Sequence, residues 1–451
     1  MDGLNVRETM KFLVRLCLPL AICCILAAAC HKKTEDHYLR VLPTSMHFSN
    51  DSSVQEINVQ SNTDWWITGA GNEHSWFRVD TLMGCGNAKV RVRVRSNPDE
   101  EDRSGQIVFS TDESSQVVRL TQGEMSEYPD GYMLFQRPSL MGDSICIVIL
   151  GEGFTGEDLT IGGTYEQIMQ EAARCFFSIE PYRSLQSYFS VYALAAESRE
   201  EGIGIGSASV RNKFSTYLVS ENMTRLVCDY EGVRNFVRYA IPRTDSVTTC
   251  VIMVVNSTEY AGTTNVYPDG SFAIAMCPMS EQEAPNDLEG LIHHEAGGHA
   301  FGLLGDEYHF YEDTEIPNSG KQSIREAQVR GLWLNLEVTS DTTHVLWKDM
   351  LTDTLRYPRV GMYEGGFSYG KGVWRSEYNS CMNDNIPYYN AWSRWLIVRR
   401  IMTLSGNKNY SFEDFVAFDQ GLFPPESAPS SRSLRGKEAN LPLLSPPEIV
   451  E

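Results

Sequence analysis

His294-Glu295-Ala296-Gly297-Gly298-His299-Ala300-Phe301-Gly302-Leu303-Leu304-Gly305-Asp306-Glu307-Tyr308 brings two imidazoles and three carboxylates into fifteen residues. Such groups so close together point to a bound metal ion. Zinc-binding helices usually carry His-Glu-x-x-His, with ligands at i and i+4, whereas these histidines stand at i and i+5. At about 100° per residue, positions four apart differ by roughly 40° and share a face, while positions five apart differ by roughly 140°. A regular helix would therefore aim His294 and His299 at different neighbours. One π-turn absorbs the extra residue and realigns them, and Gly297-Gly298 is where it is expected. Glycine inside a helix costs roughly 1 kcal/mol against alanine, so a pair of them is not there for helix stability; it makes distortion cheap.

Upstream, Asn286 or Asp287 can cap a helix starting at Leu288, with Leu288, Leu291, Ile292, Ala296 and Ala300 as its apolar face. The same extra residue occurs in the His-Glu-x-x-x-His helix of the dipeptidyl-peptidase III family, whose downstream features this chain does not show. His299-Ala300-Phe301-Gly302 resembles the His-x-x-Gly turn of the metzincins. That resemblance implies a third ligand shortly downstream. The sixth residue after His299 is Gly305, and Asp306 at the seventh is the expected ligand, with Glu307 as the fallback. Asn379-Ser380-Cys381-Met382-Asn383 looks like the metzincin Met-turn, which implies Met382 beneath the metal as a support and not a ligand. Tyr388 and Tyr389 beyond it read as packed aromatics that could reach the site, and His293 reads as packing beside it.

The whole string through Asp306-Glu307-Tyr308 closely resembles the bacterial IgA-metallopeptidase family. Gly151-Glu152-Gly153-Phe154-Thr155, Glu180-Pro181-Tyr182 and Glu197-Ser198 with Gly202 resemble that family's early blocks, so the likeness spans roughly 128–424. It implies an α+β (α/β-like) metzincin-type catalytic domain holding one Zn2+ through His294, His299 and Asp306, acting on peptide or protein substrates. Glu295, beside a ligand, is then the general base. Apolar runs at Ile145–Leu150, Phe189–Leu194 and Cys250–Val255 read as buried strands, and Tyr165–Phe177 as a helix. Ser271–Met276 is a candidate edge strand for peptide docking.

Residues 39–124 carry only strand signals: Val90, Val92 and Val94 alternate with Arg91, Arg93 and Arg95, the period of a half-buried strand. Short strands between Asn, Asp, Gly and Ser turns suggest an all-β immunoglobulin-like sandwich. Ser61-Asn62 before Asp64-Trp65, the turn from Asn97 to Arg103-Ser104-Gly105, and the closing Leu120-Thr121-Gln122-Gly123 resemble a BACON module. That resemblance implies a spacer, or a glycan contact through Trp65, Trp66 and Trp76. In a small sandwich, one or two of these rings are expected in the core.

The 451 residues allow two or three folded units, and a formal charge of -21 argues against nucleic acid or docking on anionic lipid heads. Arg7, Lys11 and Arg15 precede an apolar run from Leu16 to Ala29, too short to span a bilayer. Leu26-Ala27-Ala28-Ala29-Cys30 resembles a lipobox, although its leucine stands four places before Cys30 where three is usual. Residues 1–29 are then a lipoprotein-type signal peptide, 30–38 a tether and Cys30 the lipidation site, which puts the chain in the cell envelope with a lipid anchor as its membrane contact. Loss of the leader removes Asp2, Glu8, Arg7, Lys11 and Arg15, a net charge of +1, so the charge goes from -21 to -22. The seven cysteines after Cys30 show neither paired spacing nor a zinc-knuckle pattern. Residues 425–451, rich in Pro and Ser, read as a loosely ordered tail. The competing reading of the whole chain is an envelope-anchored glycan- or protein-binding protein whose peptidase-like domain is inactive.

Overall fold

Val90, Val92 and Val94 are buried while Arg91 and Arg93 face solvent, so the alternation builds the strand it predicts, Ala88–Val94. The computed structural model describes residues 37–48, 52–70, 75–95, 97, 102–122, 128–142, 144–423, 442 and 444–450. The leader, Cys30, most of the tether and residues 424–441 lie outside them. Among the described residues no helix is long and apolar enough to cross a membrane.

The N-terminal strands form two sheets. One runs Leu39–Leu42, Ser53–Ser61, Ala88–Val94, Phe77–Val79, and the other Ser45–Phe48, Ser115–Gln122, Arg103–Ser110, Asp64–Thr68, Met83–Cys85. Val41, Ile57, Val90 and Val92 of the first share one core with Phe48, Trp65, Phe109 and Leu120 of the second. Trp65 belongs to that core and donates Nε1–H to Gly86 O at 2.8 Å. Trp76 lies under the Arg103 guanidinium, 5.0 Å from ring centroid to Cζ. Of the three tryptophans, Trp66 alone is left as an exposed ring.

The second unit is a mixed α+β arrangement around a seven-stranded sheet. Its strands are β1 (Met133–Arg137), β2 (Ile145–Glu152), β3 (Ser190–Leu194), β4 (Thr248–Val255), β5 (Thr263–Val266), β6 (Phe272–Pro278) and β7 (Glu448–Ile449), in the order β1-β3-β2-β4-β6-β5-β7. β3, β2, β4 and β6 run parallel to one another, with Ile149 facing Ile252 and Ile252 facing Ala275. β1 is antiparallel to β3 and β5 to β6, while β7 runs parallel to β5. The apolar run of β2 is buried along its length because both faces are covered. Ile145, Ile147 and Ile149 enter one core, and Cys146, Val148 and Leu150 the other. Helix α1 (Thr164–Phe176) covers the first face through Tyr165, Met169, Ala172 and Phe176. Helix α2 (Tyr230–Ala240), capped by Asp229, covers the second through Val233, Phe236 and Val237.

Two expectations change. Ser271–Met276 is not the sheet edge, because Thr263–Val266 pairs along the outer side of β6, with Thr264 facing Ala275. Four residues with two threonines and an asparagine carry too little apolar signal to read as a strand. The expected loose tail ends in a placed piece: Leu444 is buried and Glu448–Ile449 adds outside β5. The cysteines after the leader are all free, and five of the seven are buried.

Candidate functional site

Asp287 caps the motif helix by accepting Gly290 N–H at 3.1 Å, as one of the two expected caps. After one α-turn, Leu288–Leu291, the chain continues as a π-helix from Ile292 to Phe301. The expected single π-turn at the glycine pair is therefore too modest. The wide winding runs through the whole motif, and Gly302 N bonds Gly297 O at 3.0 Å, five residues back. At this pitch, residues five apart share a face.

His294 and His299 meet there with ring centroids 4.7 Å apart and planes at 80°. His294 Nδ1 faces Cys381 O at 3.0 Å and His299 Nδ1 faces Leu304 O at 2.8 Å. These carbonyls hold the proton on Nδ1 and leave both Nε2 atoms to face inward. Nε2 to Nε2 is 3.1 Å, and Asp306 Oδ1 stands 3.2 Å from His294 Nε2 and 3.1 Å from His299 Nε2. Donors on a tetrahedral zinc, with bonds of about 2.0–2.1 Å, would be about 3.3 Å apart. Two ring lone pairs and a carboxylate converge at that spacing only around positive charge, which fits a divalent cation. Burial alone would push Asp306 up, but the rings of His299 and His294 outweigh it and hold the carboxyl below its ordinary value. Burial would lower His299, but the Asp306 carboxylate outweighs it and pushes the ring up to about 9. A cation at the centre would displace that proton. Among the described residues, His294, His299 and Asp306 form the one His/Cys/Asp/Glu cluster spaced to hold a metal ion.

Glu295 is fully buried, and burial raises its carboxyl above the ordinary range. Its Oε2 accepts the Thr264 hydroxyl at 2.7 Å, while Oε1 has no hydrogen-bond partner. A general base placed this way has one oxygen fixed and one free.

Glu307 does not join the donor set. Its carboxylate accepts from Ser380 Oγ at 2.6 Å, Asn335 Nδ2 at 3.0 Å and Asn390 Nδ2 at 2.8 Å, and its N–H donates to Met382 O at 2.8 Å. It ties the segment after the π-helix to the Ser380–Met382 turn and to the helix Ala391–Leu404, which Asn390 caps. Met382 is buried against the π-helix: a Cβ on Gly298 would lie 2.2 Å from its Sδ. A Cβ on Gly297 would lie 2.3 Å from Tyr389 Oη. The glycines are thus needed for close approach more than for cheap distortion. Tyr389 donates to His293 O and Tyr182 to Gly297 O, each at 2.5 Å, so both phenols grip the backbone of the helix. Tyr388 is packed elsewhere, on Glu377 and Arg359. His293 turns away to Ser178 Oγ at 2.8 Å and Cys175 O at 2.9 Å, and burial pushes it down to about 4.

The early sequence blocks form a clasp behind the sheet. Glu152 accepts the N–H groups of Phe214 at 2.9 Å and Thr216 at 3.2 Å, and burial raises it to about 7. Gly153, at φ +81°, approaches Gly202 so closely that a Cβ would lie 2.5 Å from Gly202 O, and Ser198 Oγ accepts Gly153 N–H at 2.9 Å. Two residues at the site have weak sequence signals. Thr264 lies in the unread strand β5, and Tyr308, the last residue of the Asp-Glu-Tyr string, stacks on His294 with centroids 6.2 Å apart.

Residues 136–358 match the IgA Peptidase M64 family model, and residues 56–123 match the BACON N-terminal binding-domain model. No curated protein matches the chain. Among solved structures, a Bacteroides ovatus GH5 xyloglucanase is 14% identical over 49% of this chain and 46% of its own, with a TM-score of 0.18. A Vibrio cholerae VesB protease is 12% identical over 19% of this chain and 31% of its own, with a TM-score of 0.15. This chain spans under half of either protein, and at such TM-scores neither likeness bears on its fold or activity. Residues 136–358 are thus a domain of the IgA Peptidase M64 type, and a BACON-type domain precedes it in the chain.

Proposed function

We propose that this peptidase is a zinc-dependent endopeptidase of metzincin type, with His294, His299 and Asp306 as ligands and Glu295 as general base. The carrying observation is the triangle of Nε2, Nε2 and Oδ1 atoms at 3.1–3.2 Å beside the free Oε1 of Glu295. When bound, a zinc ion supplies a Lewis acid for the scissile carbonyl and lowers the pKa of water. Glu295 Oε1 takes the proton of the attacking water and delivers it to the leaving amine, while Thr264 keeps Oε2 fixed. Burial raises Glu295 above the ordinary carboxyl range, which favours its holding the proton between the two steps. Cys381 O and Leu304 O orient the two rings. The metzincin-type reading is supported by Met382 packed under Gly298 and by Asp306 following the helix.

A binding module has no use for a buried carboxylate with one oxygen free, and this favours the enzyme over the inactive-binder reading. The substrate is an extended peptide or protein segment. Cys30 anchors the chain in the cell envelope, which membrane fractionation of wild type beside Cys30→Ala would test. Treatment with a zinc chelator should abolish peptide cleavage, and added zinc should restore it. Chelator-resistant cleavage would overturn the metal assignment.

A further inference from the structure

β5 is where the site meets the outer edge of the sheet. Thr264 of β5 donates to Glu295, and a Cβ on Gly262, just before the strand, would lie 2.4 Å from Glu295 Oε1. A peptide adding to this edge would run beside the general base. The chain's own segment Leu444–Val450 already covers it. Glu448–Ile449 pairs parallel with β5, Asn265 facing Glu448 and Val266 facing Ile449, and Val450 N donates to Val266 O at 2.9 Å. Leu444 is 2% exposed within the main core, and its carbonyl accepts the hydroxyl of Tyr308, the ring stacked on His294, at 2.5 Å. Between these two anchors, Ser445 Oγ lies 3.3 Å from Thr224 Oγ1, and Thr224 O accepts the N–H of Gly262.

We infer that Leu444–Val450 is an intramolecular occupant of the peptide-docking surface, and that a substrate strand must displace it from β5 and Tyr308. The inference rests on the peptidase reading given above. Pro446-Pro447 presets the extended conformation, so the segment loses little freedom on docking. The grip is also light enough to release. The strand is two residues long, and its ion pair, Arg225 with Glu448, is solvent-exposed. The buried side chains of the segment are Leu444 and Pro447, and Leu444 is the one within the main core, so its position marks a subsite for an apolar residue of the incoming peptide. The Leu444 carbonyl is held on Tyr308 Oη, so the segment covers the site without offering a peptide bond to Glu295.

Two full-chain variants test this: Leu444→Asp, whose charge cannot enter the core, and Val450→Pro, which removes the N–H on Val266 O without touching Leu444. In a Glu295→Gln background, a fluorescent peptide of sequence Pro442–Val450 should bind the Leu444→Asp chain at least about tenfold more tightly than the chain with its own segment intact, because the competent fraction rises. With Glu295 present, Leu444→Asp should lower KM for an unrelated peptide by about tenfold and leave kcat within about twofold; Val450→Pro should move KM the same way by about threefold. Equal peptide affinity on both chains, with KM unchanged in the folded Val450→Pro variant, would overturn the inference. Should no chain cleave any peptide, the peptidase reading fails by itself, and the binding measurement still decides the occupancy of the edge.

Discussion

Thr264 Oγ1 lies 2.7 Å from Glu295 Oε2 and 3.1 Å from Glu295 O, so the single proton of a hydroxyl on a sheet strand goes to the nearer carboxylate oxygen and fixes that end of the general base. A hydrogen bond to a charged group contributes about 1.5–3 kcal/mol. Thr264→Val should therefore lower kcat by about ten- to a hundredfold, leave KM within about threefold and leave metal content unchanged. Steady-state kinetics beside metal analysis checks this. A loss of metal in Thr264→Val would show that the strand supports the donor set and not the base.

Asp306 and Glu307 are adjacent in sequence and opposite in role. Asp306→Ala should abolish stoichiometric zinc binding. Glu307→Gln should keep the metal but lose stability, since an amide would set N–H groups against the Asn390 and Asn335 donors; a buried mismatch of that kind costs about 1–3 kcal/mol. Urea unfolding and metal content of the two purified variants separate these roles. Metal loss in Glu307→Gln with metal kept in Asp306→Ala would reverse the assignment.

Gly297 and Tyr389 form a steric pair, with the phenol oxygen 2.3 Å from any Cβ at Gly297. Gly297→Ala should destabilise by about 1–3 kcal/mol through overpacking. Adding Tyr389→Phe removes the clashing oxygen and should recover at least about 0.5 kcal/mol relative to the sum of the single changes. A double-mutant cycle in thermal unfolding checks this, and strict additivity would mean that the helix yields locally.

Glu152 gives the clasp behind the sheet a pH dependence. Burial raises its carboxyl from the ordinary 4.5 to about 7, so the folded chain holds this proton more tightly than the unfolded chain does. Its contribution to stability is fully present below about 4.5 and is lost as pH rises through about 7. Between pH 5 and pH 8 the loss is on the order of 2–3 kcal/mol. Glu152→Gln cannot ionise, so its stability relative to wild type should improve by that amount over the same interval, as read by urea unfolding. An unchanged difference would place the Glu152 proton elsewhere.

The sequence is most legible where periodicity and chemistry agree. Ile145–Leu150 and Cys250–Val255 read as buried strands because residues facing either core are apolar, and they form β2 and β4. His294, His299 and Asp306 were expected as one donor set, and the structure brings them together. What stayed hidden is set by tertiary contact. Thr263–Val266 looks like loop, and its strand state comes from pairing with β6. Gly297 and Gly298 signalled a distortion, but nothing local shows that Tyr389 and Met382 press against them. Glu448–Ile449 follows two prolines in a Pro- and Ser-rich stretch, and only an available sheet edge makes a strand of it.

The decisive measurement for a zinc-dependent mechanism with Glu295 as base is zinc content and peptide cleavage of wild type and Glu295→Gln, side by side on the same full-length preparations. One zinc per chain is expected in both proteins, with cleavage by the wild type alone. Absence of zinc from the wild type, or equal cleavage by the two proteins, would contradict that mechanism.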